Sequence, residues 1–144
     1  MSHAAEPLRL LHGTPELDLR FLPGGRHAIT FSTGGSLRIW ELPAARMVQE
    51  IPLSRRGDPA VALDGVGRTL ALGAWGETHA RLFTIDAASG RATPRTTIEV
   101  THYGLALSPD GNTLAAGHRR DVRLFSIADG RETRRLPIEW PTRF

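Results

Sequence analysis

An all-β fold built from three copies of one four-stranded unit is what this 144-residue sequence predicts, on three observations. A glycine turn recurs: Phe21-Leu22-Pro23-Gly24-Gly25-Arg26, Leu63-Asp64-Gly65-Val66-Gly67-Arg68 and Leu107-Ser108-Pro109-Asp110-Gly111-Asn112 align, with Gly25, Gly67 and Gly111 standing 42 and 44 residues apart. A second register agrees with it. Leu37-Arg38-Ile39-Trp40, Ala80-Arg81-Leu82-Phe83 and Val122-Arg123-Leu124-Phe125 place their aromatic residues 43 and 42 apart. Apolar residues, finally, alternate with polar ones at period two, and no segment carries a helical stripe. A period in the low forties that carries short strands and glycine turns is the signature of a propeller blade. The expectation is a partial β-propeller of three four-stranded antiparallel blades.

In the first unit, Leu17 to Phe21 alternates, Pro23-Gly24-Gly25 turns the chain, and Ala28 to Phe31 returns. Thr33-Gly34-Gly35 turns it again before Leu37 to Leu42, and Pro43-Ala44-Ala45 leads to Met47 to Ile51. The second unit runs Ala60 to Leu63, Thr69 to Gly73, Ala80 to Ile85 and Ala92 to Val100; the third runs Tyr103 to Leu107, Thr113 to Ala116, Val122 to Ile127 and Glu132 to Leu136. Ser89-Gly90, Asp110-Gly111 and Asp129-Gly130 are hairpin turns, because glycine reaches the positive dihedrals such turns require. One domain over 1–144 is expected, with blades at about 12–53, 58–100 and 101–138. Residues 7–11 read as an extra outer strand belonging to a neighbouring blade. Three blades leave two apolar faces open, so a homo-oligomer or further blades of a longer chain are expected to complete a ring.

Composition narrows the function classes. The chain has no cysteine, which removes thiolate ligands, disulfides and cysteine nucleophiles. No apolar run approaches the roughly 20 residues of a spanning helix. The start, Met1 to Pro7, lacks the basic and apolar regions of a secretory signal, so a cytoplasmic location is expected. All 18 basic residues are arginine, yet the net charge is only +3. The excess lies after residue 118, where arginines alternate with inward positions as on a solvated strand, so nucleic acid is an unlikely partner.

The unit Leu105 to Ala115 followed by Asp121-Val122-Arg123-Leu124-Phe125 resembles a bacterial WD-repeat, as does Ser36-Leu37-Arg38-Ile39-Trp40-Glu41, and the resemblance covers about residues 8–138. In that family a histidine, a Ser or Thr, an Asp and the Trp form a hydrogen-bonded network that fastens each blade. The first unit matches with His12, Thr30 and Trp40 but has Gly34 at the acidic position. The second offers Glu77 with Phe83, and the third has Arg119 with Phe125, so the full network is expected in none of the three.

Chemistry-bearing motifs are scarce. The six histidines show no metal-ligand spacing, Thr33-Gly34-Gly35-Ser36 lacks the lysine of a phosphate loop, and no serine sits in a Gly-x-Ser-x-Gly elbow. Neither cofactor nor metal is expected, and the chain reads as a non-enzymatic protein-interaction scaffold. The alternatives are a propeller enzyme with a bound metal or cofactor, and a weak nucleic-acid-binding module. Loops joining second to third and fourth to first strands gather on one face of a propeller, and rigid scaffolds present such loops to partners. On this chain they carry the candidate partner-binding residues Arg55, Arg56, Trp75, Glu77, His102, Tyr103, His118, Arg119 and Arg120. Trp, Tyr and Arg predominate among interface hot spots, and the arginines favour an acidic protein or peptide.

Overall fold

The computed structural model describes residues 16–32, 35–53, 59–74 and 76–139. These form twelve strands: β1 (Glu16–Phe21), β2 (His27–Ser32), β3 (Ser36–Glu41), β4 (Arg46–Pro52), β5 (Pro59–Leu63), β6 (Thr69–Ala74), β7 (His79–Ile85), β8 (Ala92–Glu99), β9 (Gly104–Leu107), β10 (Thr113–Gly117), β11 (Asp121–Ser126) and β12 (Glu132–Pro137). They pair as three four-stranded antiparallel meanders, β1 to β4, β5 to β8 and β9 to β12. No described residue is helical. The expected strand at 7–11 lies outside the described residues.

Register follows the repeat. Phe21, Ala28, Trp40 and Met47 form one row across the first blade. Leu63, Leu70, Phe83 and Pro94 form the same row in the second, and Leu107, Leu114, Phe125 and Glu132 in the third. Each blade also carries an irregularity between third and fourth strands beside this aromatic position. Because side chains alternate between the two faces of a sheet, each blade has a leading face, carrying the aromatic row, and a trailing face. The trailing face of one blade packs on the leading face of the next.

Two apolar cores result. Between blades one and two, Ile29, Phe31, Leu37, Ile39 and Ile51 meet Val61, Leu70, Leu72 and Phe83. Between blades two and three, Ala62, Ala71, Leu82 and Ile98 meet Leu114, Ala116 and Phe125. The turns predicted from Gly90, Gly111 and Gly130 have φ of 74°, 73° and 72°. Those between first and second strands also stack from blade to blade, where Gly65 N donates to Pro109 O at 3.0 Å. At Gly67, φ is 66° and a Cβ would lie 2.3 Å from Cδ of Pro23, so both backbone and space require glycine there.

In the first blade, Trp40 Nε1 donates to Thr30 Oγ1 at 2.8 Å, and both residues are buried. This is one link of the network the WD-repeat resemblance implies. Leu72 and Ala116 hold the Thr30 position in the other blades, as the cross-strand pairing of Thr30 with Arg38, Leu72 with Arg81 and Ala116 with Arg123 shows. With phenylalanine in place of the indole, that link has neither donor nor acceptor in blades two and three.

Candidate functional site

The β6–β7 loop, the β8–β9 linker and the β10–β11 loop meet at one end of blades two and three, tied through backbone. Gly76 N donates to His102 O at 2.8 Å, His102 N to Glu77 O at 3.1 Å, and Tyr103 N to Gly117 O at 2.8 Å. Above these bonds lies an aromatic and cationic cluster. The rings of Tyr103 and His118 stand 5.4 Å apart at 39°, and the Arg119 guanidinium carbon lies 5.5 Å from the Tyr103 centroid. That distance is within cation–π range. Gly76 lies beside the tyrosine, where a Cβ would sit 3.9 Å from Tyr103 Cε1 in ordinary van der Waals contact. Arg120 is exposed beside the cluster, and its carbonyl accepts from Ile138 N at 2.8 Å, which holds the loop against the end of β12.

Below the cluster, two predicted contact residues turn out to be interior. His102 is 0% and Glu77 4% exposed, so the expectation that both present side chains to a partner is corrected. The reason is the glycine in β6: a Cβ at Gly73 would come within 2.6 Å of His102 Cε1 and 2.7 Å of Nε2, so its absence makes the space the imidazole fills. His102 Nε2 lies 3.0 Å from the His79 carbonyl, and Glu77 Oε2 accepts from Ala74 N at 2.7 Å. Together they brace the loop rather than face solvent. A glycine inside a strand is the signal that announced this close approach.

Of the nine candidates, the fold therefore brings Tyr103, His118 and Arg119 together with Arg120 adjacent, and places Glu77 and His102 underneath. Arg55, Arg56 and Trp75 lie outside the described residues. Among the described residues no group of three or more His, Asp or Glu side chains is placed to hold a metal ion.

Sequence reasoning missed the connections between blades one and two. Gln49 Nε2 donates to Ala92 O at 2.9 Å while Ala92 N donates to Gln49 Oε1 at 2.8 Å, a paired amide contact across the seam. Arg81 Nη2 donates to Pro52 O at 2.7 Å. Gln49, Pro52 and Arg81 border an open groove of about 430 Å³ between β4 and β7–β8, lined by Ile51, Phe83, Pro94 and Thr96 among others. The recurrent arginine two positions after the start of each third strand was visible in the sequence; that Arg81 takes a backbone carbonyl of another blade as its acceptor was not.

No protein-family model matches the chain, and no curated protein is similar to it in sequence. Solved structures are similar in fold. The β-propeller domain of Cps50 (Swd1) from Myceliophteria thermophila superposes with a TM-score of 0.71 at 17% identity, covering 84% of this chain and 42% of that one. The periplasmic gluconolactonase PpgL of Pseudomonas aeruginosa gives 0.71 at 19% identity, covering 88% and 42%. A Bacteroides fragilis protein assigned as a 6-phosphogluconolactonase gives 0.69 at 17%, covering 92% and 40%. The chain is thus three consecutive β-propeller blades and spans about two fifths of each of these three solved chains. The expectation of a non-enzymatic protein is overturned as an inference from the fold, because propellers named as lactonases share this architecture with a propeller that is not so named.

Proposed function

We propose that these blades belong to a WD-repeat-like propeller whose loop-bearing end docks an acidic protein or peptide. The observation that carries the reading is the Tyr103, His118 and Arg119 cluster with Arg120 beside it. An aromatic body with guanidinium groups at its rim combines the side chains most often found at interface hot spots, and it is mounted on loops braced from below by His102 and Glu77. The Trp40–Thr30 hydrogen bond supports likeness to the WD-repeat family in the first blade. Further blades complete the ring.

Titration of fluorescein-labelled Glu-rich peptides of 10 to 15 residues (roughly the length such an end spans at about 3.3 Å per residue) tests the reading. Tyr103→Ala is expected to weaken binding by about 2 kcal/mol or more. The double change Arg119→Gln, Arg120→Gln is expected to slow association and flatten its salt dependence. Undiminished affinity in a folded Tyr103→Ala protein, or equal affinity for Lys-rich peptides, overturns the reading.

A further inference from the structure

The groove between β4 and β7–β8, in the seam of blades one and two, shares no residue with the loop cluster. Its volume of about 430 Å³ falls within the roughly 300–1,000 Å³ of binding clefts, and one wall is β8, where residues 93–97 are all exposed. Its charge is uneven. Arg81 and Arg95 line it, whereas the one acid lining it, Glu50, is already paired with Arg38 at 3.3 Å. Arg95 forms no ion pair or side-chain hydrogen bond among the described residues. Register explains its position: Leu82 pairs with Thr96 and Phe83 with Pro94, so Arg95 is the extra residue of a bulge, a device that re-aims a side chain. The corresponding residues of the other blades are Val48 and Thr133, so an arginine there is particular to blade two.

The backbone of β8 supplies a second, independent observation. β8 pairs with β7 alone, so its other edge carries the unpaired N–H and C=O groups that an added strand uses as a template. Gln49 already uses that edge. Its side-chain amide donates to the Ala92 carbonyl and accepts from the Ala92 N–H, as a peptide group of an added strand would. In blade two the position of Gln49 is held by Thr96, which has no amide to offer blade three.

We infer that this groove binds an extended peptide segment with a carboxylate between apolar residues, laid along the free edge of β8 beyond Gln49. Its main chain continues the edge pairing begun at Ala92, its carboxylate meets Arg95, and its apolar side chains lie over Ile51, Phe83 and Pro94. Arg81, which donates through Nη2 to the Pro52 carbonyl, adds positive charge to the same wall. Main-chain bonds give such a contact its affinity, and the side-chain sites along the groove give its specificity. This is a second recognition site, and it stands whether or not the loop cluster binds its own partner.

Fluorescence titration with a capped, fluorescein-labelled hexapeptide alternating Val and Glu tests it. Wild type is expected to bind the peptide saturably. Arg95→Glu, at an exposed position, is expected to weaken binding about tenfold or more, the range for a lost hydrogen bond from a charged donor, and to gain affinity for the peptide alternating Val and Lys. Tyr103→Ala is expected to leave the affinity unchanged. Backbone N-methylation of the peptide probes the main-chain pairing: methyl groups on one alternate set of amides are expected to abolish binding, and those on the other set to be tolerated, because only every second residue of an added strand bonds to the edge. Absence of saturable binding overturns the inference, as does full affinity in Arg95→Glu or tolerance of both methylation patterns. Binding that is lost in Tyr103→Ala and kept in Arg95→Glu overturns it too, and leaves the loop-cluster reading standing.

Discussion

The two seams of this molecule solve one packing problem with different materials. Between blades one and two the facing rows are large, with Ile29, Ile39 and Leu37 against Leu70, Leu72 and Phe83, and polar bridges span the remaining width: Gln49 to Ala92 and Arg81 to Pro52. Between blades two and three the second blade offers Ala62, Ala71 and Ala80, the inner strands β5 and β9 approach closely, and the turns touch directly through Gly65 and Pro109. Small side chains let the backbones come together, so the tight seam is closed by main chain and the wide one by side chains. A repeat architecture needs each interface filled to interior density, not filled in the same way.

The largest expected effect separates the seams by the sign of the volume change. Leu70→Ala, at a fully buried position of the wide seam, should destabilise by about 2–5 kcal/mol through lost burial and a cavity. The same leucine replaced by methionine should cost less than about 1.5 kcal/mol. In the tight seam the harmful direction is growth: Ala71→Leu should cost about 1–3 kcal/mol by overpacking. Denaturant titrations check both, and a tight seam that accepts Ala71→Leu without loss would erase the distinction.

Next in size is Gly73→Ala. Its Cβ would press on the His102 ring, which the Glu77 loop confines, so a loss of about 1–3 kcal/mol is expected. Pairing it with His102→Ala should recover part of that loss, a non-additivity that a double-mutant cycle measures.

Gln49→Ala should cost about 1–2 kcal/mol, the worth of two neutral hydrogen bonds, and should leave the second seam untouched. Amide hydrogen exchange that quickens at Ala92 but not at Gly65 would show this separation.

The smallest effect is on pH dependence. Hydrogen bonds from Ser108 and the Asn112 backbone hold the Asp110 carboxyl below its ordinary value, and those from Ser89 and the Ala88 backbone do the same for Asp86. A carboxylate depressed on folding contributes stability that is fully present above its unfolded value, about 4, and is lost as pH falls through the lower folded value. Melting temperature should therefore hold from pH 7 to about 5 and drop below about 4. Asp110→Asn should make that drop slightly shallower; both groups sit at the surface, where such contributions are small.

Twelve strands and their three-unit grouping were legible because period-two alternation and positive-φ glycines are local signals. Gly90, Gly111 and Gly130 turn where the sequence placed them. The loop cluster was legible in part, since repeat alignment put Tyr103 and His118 to Arg120 at one end. What failed was depth: a polar residue in a loop reads as exposed, and only Gly73 hinted that His102 lies inside. Gln49 and Arg81 were beyond local reading, because their acceptors are backbone atoms some thirty to forty residues away.

That choice of acceptor bears on how such a chain changes over time. Gln49 grips the amide and carbonyl of Ala92, and Arg81 grips the carbonyl of Pro52. Every residue carries a main-chain carbonyl, and nearly all carry an amide. Point substitution in the gripped strand therefore leaves the fastening intact, and a blade copied or exchanged within a gene arrives already equipped to be held by its neighbour. Repeats that no longer resemble one another can go on stacking, which frees their loops to diverge toward new partners without renegotiating the joints.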